Sequence, residues 1–177
     1  MHRAVSIAFL VATCWFGSAV AEQARMQLPG YGGVAFGSTY HEVQSVLGAG
    51  AVVGKESGHP EVPDLLTRTR LYETSMIANY SFLQKGTLSF VDHLQSVTVS
   101  WSPRDGTPNS DPVCRATWDR VLTGLKADYG VPDSDQNHLT DPEVPNEIVE
   151  FKFADGHAVQ AALLYCDVDI IYSSRPA

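Results

Sequence analysis

The densest group of reactive side chains in the sequence is acidic and lies late in the chain. It comprises Asp133, Asp135, Asn137, Asp141, Glu143, Glu147, Glu150 and Asp155, with Lys152 as the only Lys or Arg among them. Oxygen ligands at alternate positions, as at residues 133, 135 and 137, are typical of calcium-binding loops. However, His138 stands where an EF-hand loop has glycine, and Val144 stands where it has glutamate. The pattern therefore favours a solvated acidic loop, and leaves open a calcium site or a docking surface for a basic partner over Asp133, Asp135, Asp141 and Glu143.

A second group combines cations with an aromatic ring. Arg68, Arg70 and Tyr72 occupy alternate positions of a predicted strand, so we expect them on one face of it. Arginine and tyrosine are enriched where proteins bind one another. The row is therefore a candidate binding surface, with a plain solvated strand face as the alternative.

Patterns that would indicate catalysis or metal binding are not found in the sequence. The histidines at 41, 59, 93, 138 and 157 form no His-Glu-x-x-His motif, and there is no Cys-x-x-Cys. Hydrolases of the nucleophile-elbow type carry Gly-x-Ser-x-Gly, which is also missing. We therefore predict no catalytic residue, no metal and no cofactor. A carboxylate pair such as Asp92 and Glu150 on adjacent hairpins keeps a hydrolase as the alternative.

The N-terminus has the pattern of an export signal. A short cationic start at Arg3 precedes an uncharged stretch from Ala4 to Phe16, and Ala19 and Ala21 supply the small residues of a cleavage site after Ala21. The apolar stretch is shorter than the roughly 20 residues of a membrane-spanning helix. Lipid attachment at Cys14 is the alternative, although threonine rather than a small residue precedes it. We expect a signal peptide over residues 1–21, a flexible lead-in over 22–32 and one domain over 33–175.

Cleavage would leave two cysteines, Cys114 and Cys166. In the oxidising compartment to which a signal peptide leads, two cysteines far apart in sequence most simply form one disulfide. Such a bridge would contribute about 4 kcal/mol in the chain-entropy description. A reactive or metal-binding thiol pair would need closer spacing or neighbouring histidines.

Two helices are well delimited. The first begins at Ser38 or Thr39, where Thr39-Tyr40-His41-Glu42 has capping-box form, and ends at Gly48 with Val43, Val46 and Leu47 on its apolar face. The second begins at Asp111-Pro112 and ends at Gly130. Its residues at spacings of three and four predict one buried stripe, namely Cys114, Trp118, Val121, Leu122, Leu125 and Tyr129.

Strands account for most of the remaining chain. They are expected at Thr67–Thr74, Met76–Leu83, Thr87–Val91, Leu94–Trp101, Glu147–Phe153, Ala158–Tyr165 and Val168–Ser173. Alternation places Ser96, Thr98 and Ser100 on the face of their strand that the apolar residues do not occupy, so we expect one face of the sheet to be exposed to solvent. The fold class is therefore α+β, with two helices packed on one face of an antiparallel meander. The turns at Phe90-Val91-Asp92-His93 and Phe153-Ala154-Asp155-Gly156 suggest a degenerate tandem repeat.

The stretch Phe36-Gly37-Ser38-Thr39-Tyr40-His41-Glu42-Val43-Gln44-Ser45-Val46-Leu47-Gly48 resembles the start of a recurrent exported domain. It is similar to the repeats of the secreted β-lactamase inhibitor protein and to the small lipoprotein of outer-membrane assembly. The likeness covers residues 34–101, with a weaker echo in 112–173. It implies that a sheet or its loops bind another protein, without catalysis. No contact residue can be transferred from that family, because no matched position is a contact motif.

Composition excludes some partners. The 177 residues include 20 acidic and 12 basic side chains, giving a net charge of -8. A nucleic-acid binder would need a cationic face for phosphates, and docking on anionic membrane would need the same. We therefore predict an exported (secreted or periplasmic) non-enzymatic domain that binds a protein or envelope component, with a small hydrolase using acidic residues as the alternative. Its binding surface would be the sheet face around Arg68, Arg70, Ser96, Thr98 and Ser100, or the acidic loop.

Overall fold

The computed structural model describes residues 27–54, 64–84, 89–90, 93–103, 111–138 and 146–174. The expected signal peptide, with Cys14 and the cleavage site, lies outside the described residues. So do Asp92 and two residues of the acidic group, Asp141 and Glu143.

The structure has helices where the capping residues predict them. Helix α1 is Tyr40–Leu47, and the Thr39 backbone N–H donates to Glu42 Oε2 at 2.7 Å while Thr39 Oγ1 accepts from the Glu42 N–H, so the capping box is formed. Helix α2 is Pro112–Tyr129, with the Asp111 carboxylate accepting from Val113 N–H at 2.8 Å. Glycines 48 and 130 end the two helices at positive φ.

The strands are β1 (Gly30–Tyr31), β2 (Val34–Ala35), β3 (Val52–Gly54), β4 (Asp64–Leu71), β5 (Thr74–Ser81), β6 (Leu83–Gln84), β7 (Ser89–Phe90), β8 (Ser96–Trp101), β9 (Ser134–His138), β10 (Asn146–Lys152), β11 (Ala158–Leu164) and β12 (Asp167–Ser173). Eight of them form one antiparallel sheet in the order β3-β4-β5-β8-β12-β11-β10-β9. Together with the two helices this makes the α+β class correct.

The sheet order is symmetric about its centre. Each half contains a helix followed by four strands that lie side by side in chain order, and the halves meet where β8 pairs with β12. The first half differs because the short β6–β7 ribbon interrupts its meander before β8. Two-residue turns close the β4–β5 hairpin at Tyr72-Glu73 and the β11–β12 hairpin at Tyr165-Cys166, and all four residues have positive φ.

Alternation along the strands divides the sheet into two faces. The inner face carries the core, to which the three central strands β5, β8 and β12 contribute Met76, Ala78, Tyr80, Val97, Val99, Val168, Ile170 and Tyr172. The same core contains Val43 of α1 and Trp118, Val121 and Leu125 of α2. The predicted stripe of α2 is confirmed in this core, whereas Val46 of α1 is 56% exposed and does not belong to the apolar face predicted for that helix.

Two long-range links join segments that are far apart in sequence. The disulfide Cys114–Cys166 joins the start of α2 to the β11–β12 turn, with a Cα–Cα distance of 5.3 Å. Leu28 is buried, and its N–H donates to Asp155 Oδ2 at 2.8 Å across the turn between β10 and β11. Packing therefore already begins at Leu28, within the segment expected to be a flexible lead-in.

Candidate binding surface on the sheet

The outer face of the sheet presents a continuous line of side chains across four strands. The register aligns Arg68 of β4 with Ile77 of β5, Ile77 with Ser100 of β8, and Ser100 with Asp169 of β12. Residues directly opposite one another in antiparallel strands lie on the same face. We call this line, with the neighbouring Arg70 and Thr98, the outer patch.

The outer patch runs from a cationic end to an anionic centre. Arg68 and Arg70 are exposed at one end. Ile77 follows with 53% of its surface exposed, although β-branched apolar side chains are usually buried. At the centre of the sheet Ser100 Oγ donates to Asp169 Oδ1 at 2.5 Å, which fixes the direction of that carboxylate. Across the strands, the patch thus presents a cation, then an apolar side chain, then a carboxylate acceptor of fixed direction.

Small hydroxyl side chains lie within the outer patch, at Thr98, and beside it, at Ser96. Thr98 pairs with Asn79 on one side and Ile171 on the other, while Ser96 pairs with Ser81 and Ser173. Both are half-buried. Their placement on the same face as Arg68 and Arg70 agrees with the alternation in the sequence. Because these side chains are short, the backbone of β8 lies close to the protein surface here.

A buried carboxylate lies beside the patch, and sequence reasoning did not select it. Asp64 begins β4 on the outer face, is only 4% exposed and accepts from Asn79 Nδ2 at 3.3 Å. Burial raises its pKa above the usual range, against the opposing effect of hydrogen bonds from Asn79 and Ser81. The apolar residues Leu65 and Leu66 that follow Asp64 did not indicate that its carboxylate would be buried.

Tyr72 does not belong to the predicted cationic-aromatic row, which is a correction of the sequence prediction. Strand β4 ends at Leu71, and Tyr72 occupies the turn with φ 46°. Its hydroxyl donates to Asp128 Oδ2 on helix α2 at 2.6 Å, so its ring lies against the helix. Burial, followed by that hydrogen bond, raises the pKa of Tyr72 well above its usual value. The residue that completes the row beside Arg68 is Ile77.

The acidic segment is partly a strand and not the predicted loop. Ser134–His138 forms the edge strand β9, which pairs with β10 so that Asp135 lies opposite Val149. Asp133 accepts from the Lys152 N–H at 2.7 Å, and its own N–H donates to the Glu150 carbonyl. The carboxylate of Asp133 thus holds the sheet edge together. The structure does not bring Asp133 and Asp135 to the outer patch.

Metal-ligating side chains do not gather within the part of the chain that the structure describes: no group of three among His, Cys, Asp and Glu is arranged to hold an ion there. His157 Nδ1 lies 3.0 Å from Asp155 Oδ2. Hydrogen bonds to the backbone N–H of Leu28 and His157 lower the pKa of Asp155 although burial acts in the opposite direction. This pair connects the N-terminal segment to the β10–β11 turn.

No helix among the described residues is both long and apolar enough to span a bilayer. Comparison with known proteins does not extend the picture, since neither a family model, nor a curated protein, nor a solved structure matches the chain.

Proposed function

We propose that this protein is an exported, periplasmic, non-enzymatic domain that binds a protein or an envelope component through the outer patch. The observation that carries the proposal is the line Arg68–Ile77–Ser100–Asp169, in which an exposed apolar side chain lies between a cation and an oriented carboxylate. The export signal predicted for residues 1–21 and the disulfide Cys114–Cys166 support an oxidising compartment.

The composition of the patch resembles that of protein interfaces. Interface centres are poor in charge and rich in large side chains, and arginine is among the residues that contribute most to affinity. Here Ile77 occupies the apolar position, and Arg68 and Arg70 lie beside it. The serines and threonine around it supply hydrogen-bonding groups without bulk. A partner with a protruding apolar side chain and acidic neighbours would complement this surface.

The proposal includes a duplicated origin for the fold. Two helix-plus-meander units that join through their last strands would place α1 and α2 together over the inner face and leave the outer face open across both units. The symmetric sheet order supports this arrangement. It also agrees with the sequence resemblance to exported domains that bind proteins.

The test is capture of a partner from an envelope extract by the chain beginning at Glu22. We expect saturable capture that is lost when Arg68 and Arg70 are both replaced by serine, and weakened when Ile77→Ser is made alone. The matched control replaces Arg120 and Lys126 of helix α2 by serine, which removes the same charge from exposed positions away from the patch. Equal loss in both double variants would show a general charge effect and contradict the proposal.

The alternative function, hydrolysis by acidic residues, has a separate readout. Two of the described carboxylates near the late acidic segment have structural partners, since Asp133 accepts from Lys152 N–H and Glu150 forms an ion pair with the Lys152 side chain at 3.2 Å. Turnover on a panel of ester, glycoside and peptide substrates, together with absence of capture, would replace the binding proposal by this one.

A further inference from the structure

Beyond its first three residues, one side of strand β4 is not paired with any strand in the part of the chain that the structure describes. Strand β3 pairs only with residues 64–66 of β4, because Gly48–Gly50 forms a 3-10 turn that leads the chain back to α1. Beyond Leu66, no strand within the described part of the chain pairs with that side of β4. Among the described residues, the stretch from Thr67 to Leu71 is therefore an open sheet edge.

The hairpin geometry identifies the backbone groups on this edge. The turn at Tyr72-Glu73 closes on the pair Leu71 and Thr74, which exchange hydrogen bonds. Since bonded and non-bonded pairs alternate along an antiparallel ladder, Thr69 and Thr67 also bond to β5. The N–H and C=O groups of Arg68 and Arg70 consequently point away from β5, towards the open side. The Arg68 carbonyl accepts a long bond of 3.5 Å from the adjacent Thr67 hydroxyl.

The side chains of these two residues determine what can pair there. Arg68 and Arg70 both project from the outer face and are exposed. A strand added to this edge would place the residues opposite them on the same face, two positions apart. Carboxylates at those positions would meet the two guanidinium groups, which bind carboxylates well. The residue of the added strand between the two carboxylates would lie opposite Thr69 and project towards the inner face of the sheet.

A second copy of this chain is a poor occupant of the edge. Antiparallel pairing of β4 with its own copy would bring four arginines onto adjacent strands, and like charges opposite one another are destabilising. Natural sheets also place charges on edge strands to prevent such pairing. The same charges attract an acidic strand, so protection against self-pairing and recognition of an acidic segment are compatible.

We propose that the open edge of β4 binds an extended segment of a partner protein that carries acidic side chains at alternate positions, by adding a strand to the sheet. This inference rests on the proposed binding function and specifies its mode: the Arg68 and Arg70 backbone groups provide main-chain hydrogen bonds, and their side chains select the acidic pattern. The outer patch then contacts residues that flank the added strand.

A designed peptide tests the mode directly. The probe is a fluorescently labelled Thr-Thr-Glu-Val-Glu-Thr-Thr, and its matched control is Thr-Thr-Glu-Glu-Val-Thr-Thr, which has the same composition but projects its adjacent carboxylates to opposite faces. We expect the alternating peptide to bind up to about fivefold tighter by fluorescence anisotropy at low salt. Replacing both Arg68 and Arg70 by serine should weaken its binding by between about twofold and thirtyfold.

Backbone pairing has its own readout. In the antiparallel arrangement, N-methylation of the two glutamates of the probe should abolish binding, whereas N-methylation of the central valine should not, because its N–H points away from β4. In the protein, Arg70→Pro removes an outward N–H and should weaken binding more than Arg70→Ser, with folding checked by far-ultraviolet circular dichroism. Protection of the Arg68 and Arg70 amides from hydrogen exchange on adding the probe would confirm the added strand.

The outcomes separate this inference from the proposed function. Thr98→Trp places bulk within the outer patch, two strands away from the edge, and therefore reports on contact with the face of the sheet rather than on pairing at the edge. Edge pairing is overturned if Arg70→Pro weakens binding no more than Arg70→Ser and the two peptides bind equally. If Thr98→Trp then abolishes capture of the partner, the partner binds the face of the sheet and the proposed function stands. If none of the variants changes capture, the proposed function itself fails. Self-association that Arg70→Pro abolishes would identify a second copy as the occupant and overturn the acidic-partner assignment.

Discussion

The hydroxyl of Tyr72 donates to Asp128 Oδ2 at 2.6 Å and thereby ties the β4–β5 turn to helix α2 across 56 residues of sequence. The ring lies over Gly124 of the same helix, where an added Cβ would be only 2.1 Å from Tyr72 Cδ1. This glycine is therefore required by a close approach of an aromatic ring. The contact fixes the end of the strand that carries Arg68 and Arg70.

Gly124→Ala is expected to destabilise the protein by about 1 to 3 kcal/mol, because the added methyl group overpacks the contact with Tyr72. In an exposed helix interior the same change would stabilise by about 1 kcal/mol. In a Tyr72→Ala background we therefore expect Gly124→Ala to become neutral or stabilising. Urea unfolding of the two single variants and the double variant measures this cycle. Additive effects would contradict the proposed clash.

The extent to which the fold follows from the sequence can be seen in its turns and caps. Helix ends at Thr39, Gly48, Asp111 and Gly130 were predictable because one side chain or one glycine satisfies each local requirement. Tyr72 was placed wrongly because two non-glycine residues adopt positive φ in its turn, which alternation cannot indicate. Local pattern thus predicted both helices and the long apolar strands, but neither the end of β4 nor the short strands β1, β2 and β3.

The candidate site was predictable only in part, for a related reason. Alternation correctly placed Ser96, Thr98 and Ser100 on one face of β8. The line to Ile77 and Asp169, however, depends on pairing between strands far apart in sequence, such as β8 with β12. Strand β9 was missed because its residues are polar and show no apolar alternation, as is usual for a sheet edge.

The disulfide between Cys114 and Cys166 should contribute about 4 kcal/mol to stability in the chain-entropy description, since it closes a long loop. We expect the doubly substituted variant, with both cysteines replaced by serine, to lose an amount of this order in urea unfolding. Alkylation of the chain beginning at Glu22 without reductant should leave its mass unchanged. Two alkylated thiols in the native protein would exclude the bridge.

Asp155 should make stability depend on pH in the acidic range. Backbone N–H groups of Leu28 and His157 hold its folded-state pKa below the usual value, although burial opposes them. A carboxylate with a lowered folded-state pKa stabilises fully above the unfolded value of about 3.9, and this contribution is lost as the pH falls towards the folded value. Asp155→Asn should therefore show a smaller loss of stability between about pH 5 and pH 2 than the parent protein. Parallel pH profiles of the two unfolding midpoints would contradict this assignment.

The N-terminal segment should be structural from Leu28 onwards. Leu28 is 3% exposed, packs into the core and donates its N–H to Asp155 at 2.8 Å. Leu28→Ala is expected to cost about 2 to 5 kcal/mol through the cavity that it leaves. A chain beginning at Gly30 loses both the side chain and the hydrogen bond, so it should be less stable than the Leu28→Ala variant by roughly the value of one hydrogen bond, about 1 kcal/mol. Equal unfolding free energies for chains beginning at Glu22 and at Gly30 would show that the anchor at Leu28 contributes nothing.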